Sequence, residues 1–472
     1  MAGVFDDPGD LYHDTYSQSE TQVVRDSDPT SALLLAICIL VMRIGFYLVE
    51  ASWVPAHDVQ HLMLQNAVDM SAAIATFCVL GYTIAFGKDV HHVIGWDPAV
   101  VLETQEVATA LRGLGAVLMV SAIFTAGAAG RLPLAGAALG AMLLAGVLTP
   151  MLLHWVWAPQ GWLATHTFHF VDQGGSCVVH AVGAVAAFAI LLVLGRRVMK
   201  LKELDPRSVV AGDPAAAAAG LVLIAIGAAA LCCHARPHRY EDVSTRKSQA
   251  AVNCLAAYAG GVLACCLVSR LFSGHNRSKD VLMLHAGQGG VAGVVSMAAA
   301  PHDYSPPLAV AAGASAGALL GLVCRPWDRT AIEDTTCSLP AHLVGGVLGP
   351  VLVPLLVPDA AVRRQLNGAL PVLRGVGAQI GGVLVLTAAA FFGALVICVL
   401  IKVLGLLRTS WEEADHRRAK TLLMRLEEIS RRSISPFCSR LLPMEEGTEL
   451  RPGLPPPRDR GEPLQEPNTA SQ

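Results

Sequence analysis

Apolar positions in this chain are grouped into long runs, and polar positions fall mainly between the runs and at the two ends. A run of about 20 apolar residues is long enough to cross the hydrocarbon core of a bilayer as an α-helix. A helix also pairs its own backbone groups, as a segment surrounded by lipid must. The pattern therefore predicts an all-α polytopic membrane protein with eleven transmembrane helices, at residues 31–53, 64–87, 107–130, 134–156, 174–195, 214–234, 250–271, 281–300, 306–325, 340–358 and 376–402.

The composition supports a membrane protein. Of the 472 residues, 53% are hydrophobic and 15% are charged, whereas about a quarter of the residues in a soluble protein are charged. The 44 glycines are typical of helices that approach each other closely within a membrane. This composition makes the lipid bilayer the expected surrounding of the chain. The net charge of -3 gives no general basic surface, so nucleic acid is not an expected partner.

An odd number of spans places the two ends of the chain on opposite sides of the membrane. The loop between the fifth and sixth spans is the most basic short loop, and the positive-inside rule places it in the cytoplasm. We therefore expect a multi-pass protein of the plasma membrane with an extracellular N-terminus and a cytoplasmic C-terminus. The basic residues of this loop are Arg196, Arg197, Lys200, Lys202 and Arg207, and they are opposed by Arg236, Arg239, Arg246 and Lys247 on the other side.

The ends of the chain differ from the membrane domain, which is predicted at residues 31–408. Residues 1–30 form an acidic extracellular segment without the basic start of a signal peptide. The spacing of leucine and isoleucine in residues 409–434 predicts a cytoplasmic amphipathic helix, docked on the cytoplasmic mouth or on the membrane surface. The Pro- and Glu-rich residues 435–472 are predicted to be a disordered cytoplasmic tail.

Two distant segments repeat one pattern. Asp172–Val185 and Asp334–Val347 both fit D-x3-S-x3-H-x2-G-x-V, and each places a histidine, His180 or His342, at the head of an apolar span. A histidine inside a membrane is costly and points to function. The two spans run in opposite directions, so spans 1–5 and 6–10 form a five-plus-five inverted repeat. The pattern predicts that the two histidines form a paired site on the pseudo-symmetry axis.

Most of the twelve cysteines lie in apolar spans, where we expect them to pack as small hydrophobic side chains. Cys232 and Cys233 beside His234 are not interpreted as a metal site, because adjacent cysteines seldom bind one zinc ion together. The sequence therefore predicts no metal and no cofactor. It also has no nucleophile triad or phosphate-binding loop at usable spacing, which argues against an enzyme.

Six short segments carry a further signal, and they are Gly45–Ala51, Gln65–Asp69, His154–Trp157, Asp172–His180, Ala251–Asn253 and Pro340–Gly346. In this order they resemble the ammonium transporter family, of which the Rhesus glycoproteins are a distant branch. Each segment alone is weakly specific, whereas their order within eleven spans is specific. The resemblance implies an eleven-helix protomer that contains its own pore and assembles as a homotrimer.

The resemblance also implies roles for single residues. His180 and His342 match the twin histidines that line the family's pore, and two facing imidazoles can share one proton without a fixed charge. Asp172 matches an aspartate beneath the site that recruits the substrate. Trp157 matches a tryptophan at the outer vestibule, whose ring face would attract ammonium by about 0.5–2 kcal/mol.

Four of the residues singled out have a structural alternative. Asp172 and Asp334 precede helical spans, where aspartate is a favoured capping residue. Trp157 lies near Trp155 and Trp162, so it is also consistent with an interfacial aromatic belt. Glu50, near the end of the first span, is consistent with a structural role or with coupling to charge movement. The sequence leaves these alternatives open.

The resemblance weakens at the outer part of the pathway. The family has two stacked phenylalanines as a gate above the histidines, and alignment of the third and sixth spans places Ala116 and Leu231 at those positions. Ala235 falls where the family often has a serine that hydrogen-bonds the cation, and Gln288 falls where an asparagine is common. A slip of the alignment would bring another residue, such as Phe124, to the gate. The altered gate implies weaker cation selectivity.

The sequence thus predicts transmembrane transport of ammonium or ammonia through a twin-histidine pore in each protomer. The alternative is a non-conducting ammonium sensor, or a structural partner derived from the same family. The retained histidines favour transport, and the altered gate favours the alternative.

Overall fold

The structure is a computed structural model. It describes residues 29–54, 59–97, 107–163, 169–195, 213–235, 243–273, 279–327, 336–357 and 371–409, together with residues 330, 332 and 334. Four predicted features lie outside the described residues. These are nearly all of the N-terminal segment, the basic loop after the fifth span, the amphipathic helix and the C-terminal tail.

Eleven helices follow one another along the described residues, and each coincides with one predicted span. Ten of them are long and apolar enough to cross a membrane, and the apolar part of the eighth, Val281–Met297, is shorter. The helices are α1 Pro29–Ala51, α2 Val59–Phe86, α3 Val107–Ala128, α4 Leu134–Trp157, α5 Ser176–Leu194, α6 Pro214–Cys233, α7 Val243–Ser273, α8 Lys279–Met297, α9 Pro306–Trp327, α10 Ser338–Leu356 and α11 Pro371–Val403.

The prediction of an all-α polytopic membrane fold is confirmed, and the differences are confined to helix ends. Helices α2, α7 and α11 begin several residues earlier than predicted. A short antiparallel hairpin links α2 to α3, in which strand β1 Asp89–Val90 pairs with strand β2 Ile94–Gly95.

Helix α5 is the most buried of the spans, followed by α3, α4 and α10. Helices α1, α7 and α11 instead expose large apolar side chains on the outside of the described structure. Such side chains are expected where a helix faces lipid or another protomer. Examples are Leu34, Leu40, Leu255, Leu263, Leu384 and Val396.

Glycines allow α10 to cross α5 closely at the repeated motif. A methyl group added at Gly346 would lie 2.6 Å from both the backbone nitrogen of Ala181 and the carbonyl oxygen of Ser176. The hydroxyl of Ser176 donates to the carbonyl oxygen of Gly345 at 3.2 Å. A side chain at Gly346 would push the two helices apart. The absence of one lets α5 and α10, which carry the two motif histidines, approach closely.

The two motif helices begin with related backbone geometry. Gly175 immediately precedes α5 with φ +91°, and Cys337 immediately precedes α10 with φ +55°. The first turn of α5, Ser176–Ala181, is a π turn, whereas α10 begins as an α-helix. Single π turns within helices are frequent at functional sites, and this one carries His180.

Candidate functional site

The two motif histidines meet in the interior of the helix bundle. Nδ1 of His180 lies 3.1 Å from Nδ1 of His342, and the two rings are parallel within 1°. Both side chains are buried, with 1% exposure each. Because one Nδ1 must donate and the other must accept, the two neutral rings hold one shared proton between them. Their outer Nε2 atoms then differ, since one carries a hydrogen and the other is a bare acceptor.

An aromatic ring covers one side of this pair. Phe46 of α1 stacks on the ring of His342, with centroids 5.9 Å apart and an angle of 22° between the planes. Phe46 is fully buried. The Phe46 ring thus adds an apolar wall that raises the free energy of any charged species beside the histidines.

Both motif aspartates cap the helix that follows them. Oδ2 of Asp172 accepts hydrogen bonds from the backbone N–H groups of Cys177 and Val178, both at 2.8 Å. Oδ2 of Asp334 accepts from the N–H of Leu339 at 2.9 Å, which is the same five-residue step. The observed contacts of both aspartates are therefore those of helix-capping residues.

Asp172 is also electrostatically unusual for a capping residue. Burial raises the pKa of its carboxyl to about 7, although the backbone N–H donors and the nearby Arg112 oppose that rise. Among the described residues, its Oδ1 atom has no hydrogen-bond partner. The carboxyl therefore changes charge near neutral pH at the entrance of α5.

Trp157 packs against the same segment, but its ring face is already occupied. Its indole Nε1 donates to the carbonyl oxygen of Asp172 at 2.9 Å. The guanidinium carbon of Arg112, on α3, lies 3.7 Å from the centroid of the Trp157 ring. Arg112 also donates to the carbonyl oxygen of Gln173. The cation–π position that the resemblance gives to ammonium is therefore filled by a side chain of this protein.

Arg112 was not among the residues predicted for the site, although its position in the sequence carries a signal. Arg112 is a single charged residue in the second turn of an apolar span, and it lies one helical turn before Ala116, on the same face of α3. A charged residue inside a span usually has a partner within the bundle.

Trp157 itself is 7% exposed, so it does not belong to an exposed aromatic belt.

Leu231, one of the two predicted gate residues, lies close to the residue that precedes the other, Ala116. Leu231 of α6 packs against α3, because a methyl group added at Gly115 would lie 2.7 Å from its Cδ2 atom. Ala116, the next residue along α3, is fully buried. Phe124, the alternative gate residue, instead lies against α4, since its ring would be 3.0 Å from a methyl group at Gly140.

Glu50 belongs to a buried polar network that joins α1 to α2 and α3. Its Oε2 accepts a hydrogen bond from Nδ2 of Asn66 at 3.1 Å. In the same network Asp69 pairs with Arg43 at 2.5 Å and accepts from the hydroxyl of Ser121 at 2.6 Å. These contacts are consistent with a structural role for Glu50, which lies on the same helix as Phe46.

Comparison with known proteins places the chain among membrane transporters. The sequence profile of the Ammonium Transporter Family matches residues 31–420. This chain belongs to that family. Ammonium transporter Amt2 of Haloferax mediterranei is 28% identical to it over 413 residues, which cover 82% of this chain and 86% of the relative. Ammonium transporter Amt2 of Archaeoglobus fulgidus is 25% identical over 333 residues, which cover 67% and 69%.

Solved structures of the family have the same fold. The structure described as a sensor Amt protein superposes with a TM-score of 0.71 at 22% identity and covers 82% of this chain and 96% of that chain. Mep2 of Saccharomyces cerevisiae gives a TM-score of 0.66 at 18% identity and covers 81% and 88%. Membership of the family supports ammonium transport by a multi-pass membrane protein.

Proposed function

We propose that this chain conducts ammonia past the His180–His342 pair of each protomer. The observation that supports the proposal is the 3.1 Å contact between their Nδ1 atoms, deep in the bundle. Without a fixed charge, the pair offers one donor and one acceptor to a neutral solute. A hydrated cation would lose its water there without equivalent compensation, so the neutral form is favoured.

Arg112 bears on how the substrate enters. Its guanidinium covers the ring of Trp157 at 3.7 Å, so an ammonium ion makes that cation–π contact only if Arg112 moves away. A second cation close to a guanidinium is also repelled, and the repulsion is strong where water is scarce. The pathway would therefore take up the cation with low affinity and admit ammonia.

A second candidate function rests on the same entrance. Arg112 on Trp157, together with Leu231 packed against Gly115, fills the outer end with protein side chains. If this filling is permanent, the chain is a non-conducting ammonium sensor or a structural partner of conducting relatives. The two functions differ in whether the protein passes ammonia at all.

The location and assembly belong to the same proposal. The basic loop after the fifth span supports a cytoplasmic C-terminus and an extracellular N-terminus in the plasma membrane. The family resemblance supports a homotrimer, and the outward apolar side chains of α1, α7 and α11 supply surfaces for lipid or protomer contacts.

Flux measurements in proteoliposomes test the proposal. Internal pH is followed after an imposed ammonium gradient, for wild type, His180→Ala and His342→Ala. Loss of the polar contacts, worth about 1–3 kcal/mol for a buried group, should lower the protein-dependent flux by about 5- to 150-fold. His92→Ala is the control, because this histidine is exposed and lies outside the pair. A folded wild-type protein without flux above empty liposomes would favour the sensor.

A further inference from the structure

A buried group of side chains that could bind a metal ion lies outside the histidine pair. It consists of His285 on α8, Cys324 on α9 and Cys337 immediately before α10, and one ligand atom of each lies within 4.8 Å of the others. Their exposures are 2%, 0% and 4%. We propose that these three side chains bind a zinc ion. The separate sequence positions of the three residues form no zinc-binding motif, so the sequence alone predicted no metal.

The sulfur separation fits a shared metal ion. Sγ of Cys324 lies 3.5 Å from Sγ of Cys337. Two sulfur ligands at about 2.3 Å in a tetrahedral zinc site are about 3.8 Å apart. A disulfide would require about 2.05 Å. The two thiols therefore need to move only slightly to bind one metal ion. The imidazole of His285 would be the third ligand, and water would fill the fourth tetrahedral position.

The charge of the site favours a divalent ion such as zinc over monovalent copper. Binding releases the two thiol protons to solvent. The resulting two thiolates and the neutral imidazole balance the two positive charges of zinc, so the complex is neutral. A neutral complex avoids the large free-energy penalty of a buried net charge. A monovalent copper ion on the same ligands would leave one negative charge in a buried site.

The backbone at Cys337 gives an independent reason to assign a role to this residue. Its φ of +55° is in the left-handed region, and the equivalent residue of the first motif is Gly175, which adopts that region freely. A side chain there costs about 1–2 kcal/mol. A cysteine at a position where the local geometry favours glycine points to a function of its thiol.

Neighbouring contacts hold Cys337 in place beside α8. Gln288, one turn after His285, donates from Nε2 to the carbonyl oxygen of Thr336 at 2.8 Å and to the hydroxyl of Ser338 at 3.3 Å. A bound zinc ion would thus tie α8 and α9 to the start of α10. Because His342 lies five residues after Cys337, the ion would stabilise the helix that carries one pore histidine.

Metal analysis of the purified full-length chain tests the site. Protein kept under reducing conditions is depleted of metal with a chelator, supplied with zinc, washed and measured by elemental analysis. We expect one tightly bound zinc per chain and a higher melting temperature than for the depleted protein. Cobalt(II) in place of zinc should give the intense thiolate-to-cobalt absorption that two cysteine ligands produce. Reduced protein that retains no zinc after washing would overturn the assignment.

Variants separate the site from general effects on folding. Cys324→Ser and Cys337→Gly should each lose the zinc and the cobalt absorption, and Cys337→Gly should remain folded because glycine relieves the left-handed backbone. Cys398→Ser is the matched control, since Cys398 is a buried cysteine on α11. Zinc content unchanged in Cys337→Gly would overturn the proposal. So would a Cys324–Cys337 disulfide, found by mass spectrometry, in protein that binds no zinc after reduction.

Discussion

The guanidinium carbon of Arg112 lies 3.7 Å from the centroid of the Trp157 ring, so the protein places its own cation on that aromatic face. Two adjacent carbonyl oxygens hold the pair. Trp157 donates to that of Asp172, and Arg112 donates to that of Gln173. An arginine keeps its charge at physiological pH. A tethered positive charge therefore lies where the family resemblance predicts the substrate cation.

Removing this charge should open the ring face to ammonium. In Arg112→Ala, a cation–π contact worth about 0.5–2 kcal/mol becomes available to the substrate. The apparent affinity for ammonium should then rise by about 2- to 30-fold. The measurement is the concentration dependence of ammonium-induced flux or current in proteoliposomes.

Two matched variants test the cause of that gain. Arg112→Lys keeps a positive charge near the ring and should stay close to wild type. Trp157→Leu in the Arg112→Ala background removes the ring and should cancel the gain. If Arg112→Ala and wild type have the same apparent affinity, the guanidinium does not compete with the substrate.

The sequence predicted the helices well because the thickness of the bilayer sets the length of an apolar run. It also predicted that His180 and His342 form one site, because the repeated motif marks equivalent positions in two halves. It could not predict the contact of Arg112 with Trp157, since that contact depends on how α3 packs against α4. The cluster of His285, Cys324 and Cys337 was hidden for the same reason.

The close crossing of α5 and α10 should tolerate no side chain at Gly346. In Gly346→Ala, the added methyl would lie 2.6 Å from the backbone of Ala181 and Ser176, so the helices must separate. Overpacking of this kind costs about 1–3 kcal/mol. The melting temperature and the ammonia flux should both fall.

Gly377→Ala is the control for this substitution. It also lies within a helix, α11, but a methyl group added there would have no neighbour within 4 Å among the described residues. Its melting temperature therefore measures only the effect of the higher helix propensity of alanine. Equal melting temperatures for the two variants would show that α5 and α10 can separate freely.

Asp172 should make stability depend on pH. Burial raises its pKa from 3.8 to about 7 in the folded state, so between these values the folded protein binds more protons than the unfolded chain. The contribution of this group to stability is then fully present below pH 3.8 and is lost as the pH rises through about 7. Asp172→Asn should flatten the fall in melting temperature over this range.

An exposed capping aspartate provides the comparison for the pH experiment. Asp213 caps α6 through hydrogen bonds to the N–H groups of Ala215 and Ala216. Asp213→Asn removes a capping carboxylate without changing the interior. If Asp172→Asn retains the wild-type dependence of melting temperature on pH, the Asp172 carboxyl does not cause that dependence.

The ion pair of Arg43 and Asp69 should stabilise the contact of α1 with α2. Both side chains are buried, and the 2.5 Å pair is extended by the hydroxyl of Ser121. Asp69→Asn would leave the guanidinium without its counter-charge, at a cost of about 3–5 kcal/mol. The melting temperature in detergent should fall markedly.

The double variant Arg43→Met/Asp69→Leu distinguishes a buried charge from simple loss of packing. Replacing both partners by apolar side chains of similar volume is often close to neutral, because no charge remains in the interior. The double variant should therefore be more stable than Asp69→Asn alone. If it is less stable than the single variant, the network acts through its hydrogen bonds to Asn66 and Ser121 rather than through charge balance. Phe46 lies on α1 between Arg43 and Glu50, so ammonia flux should recover together with stability in the double variant.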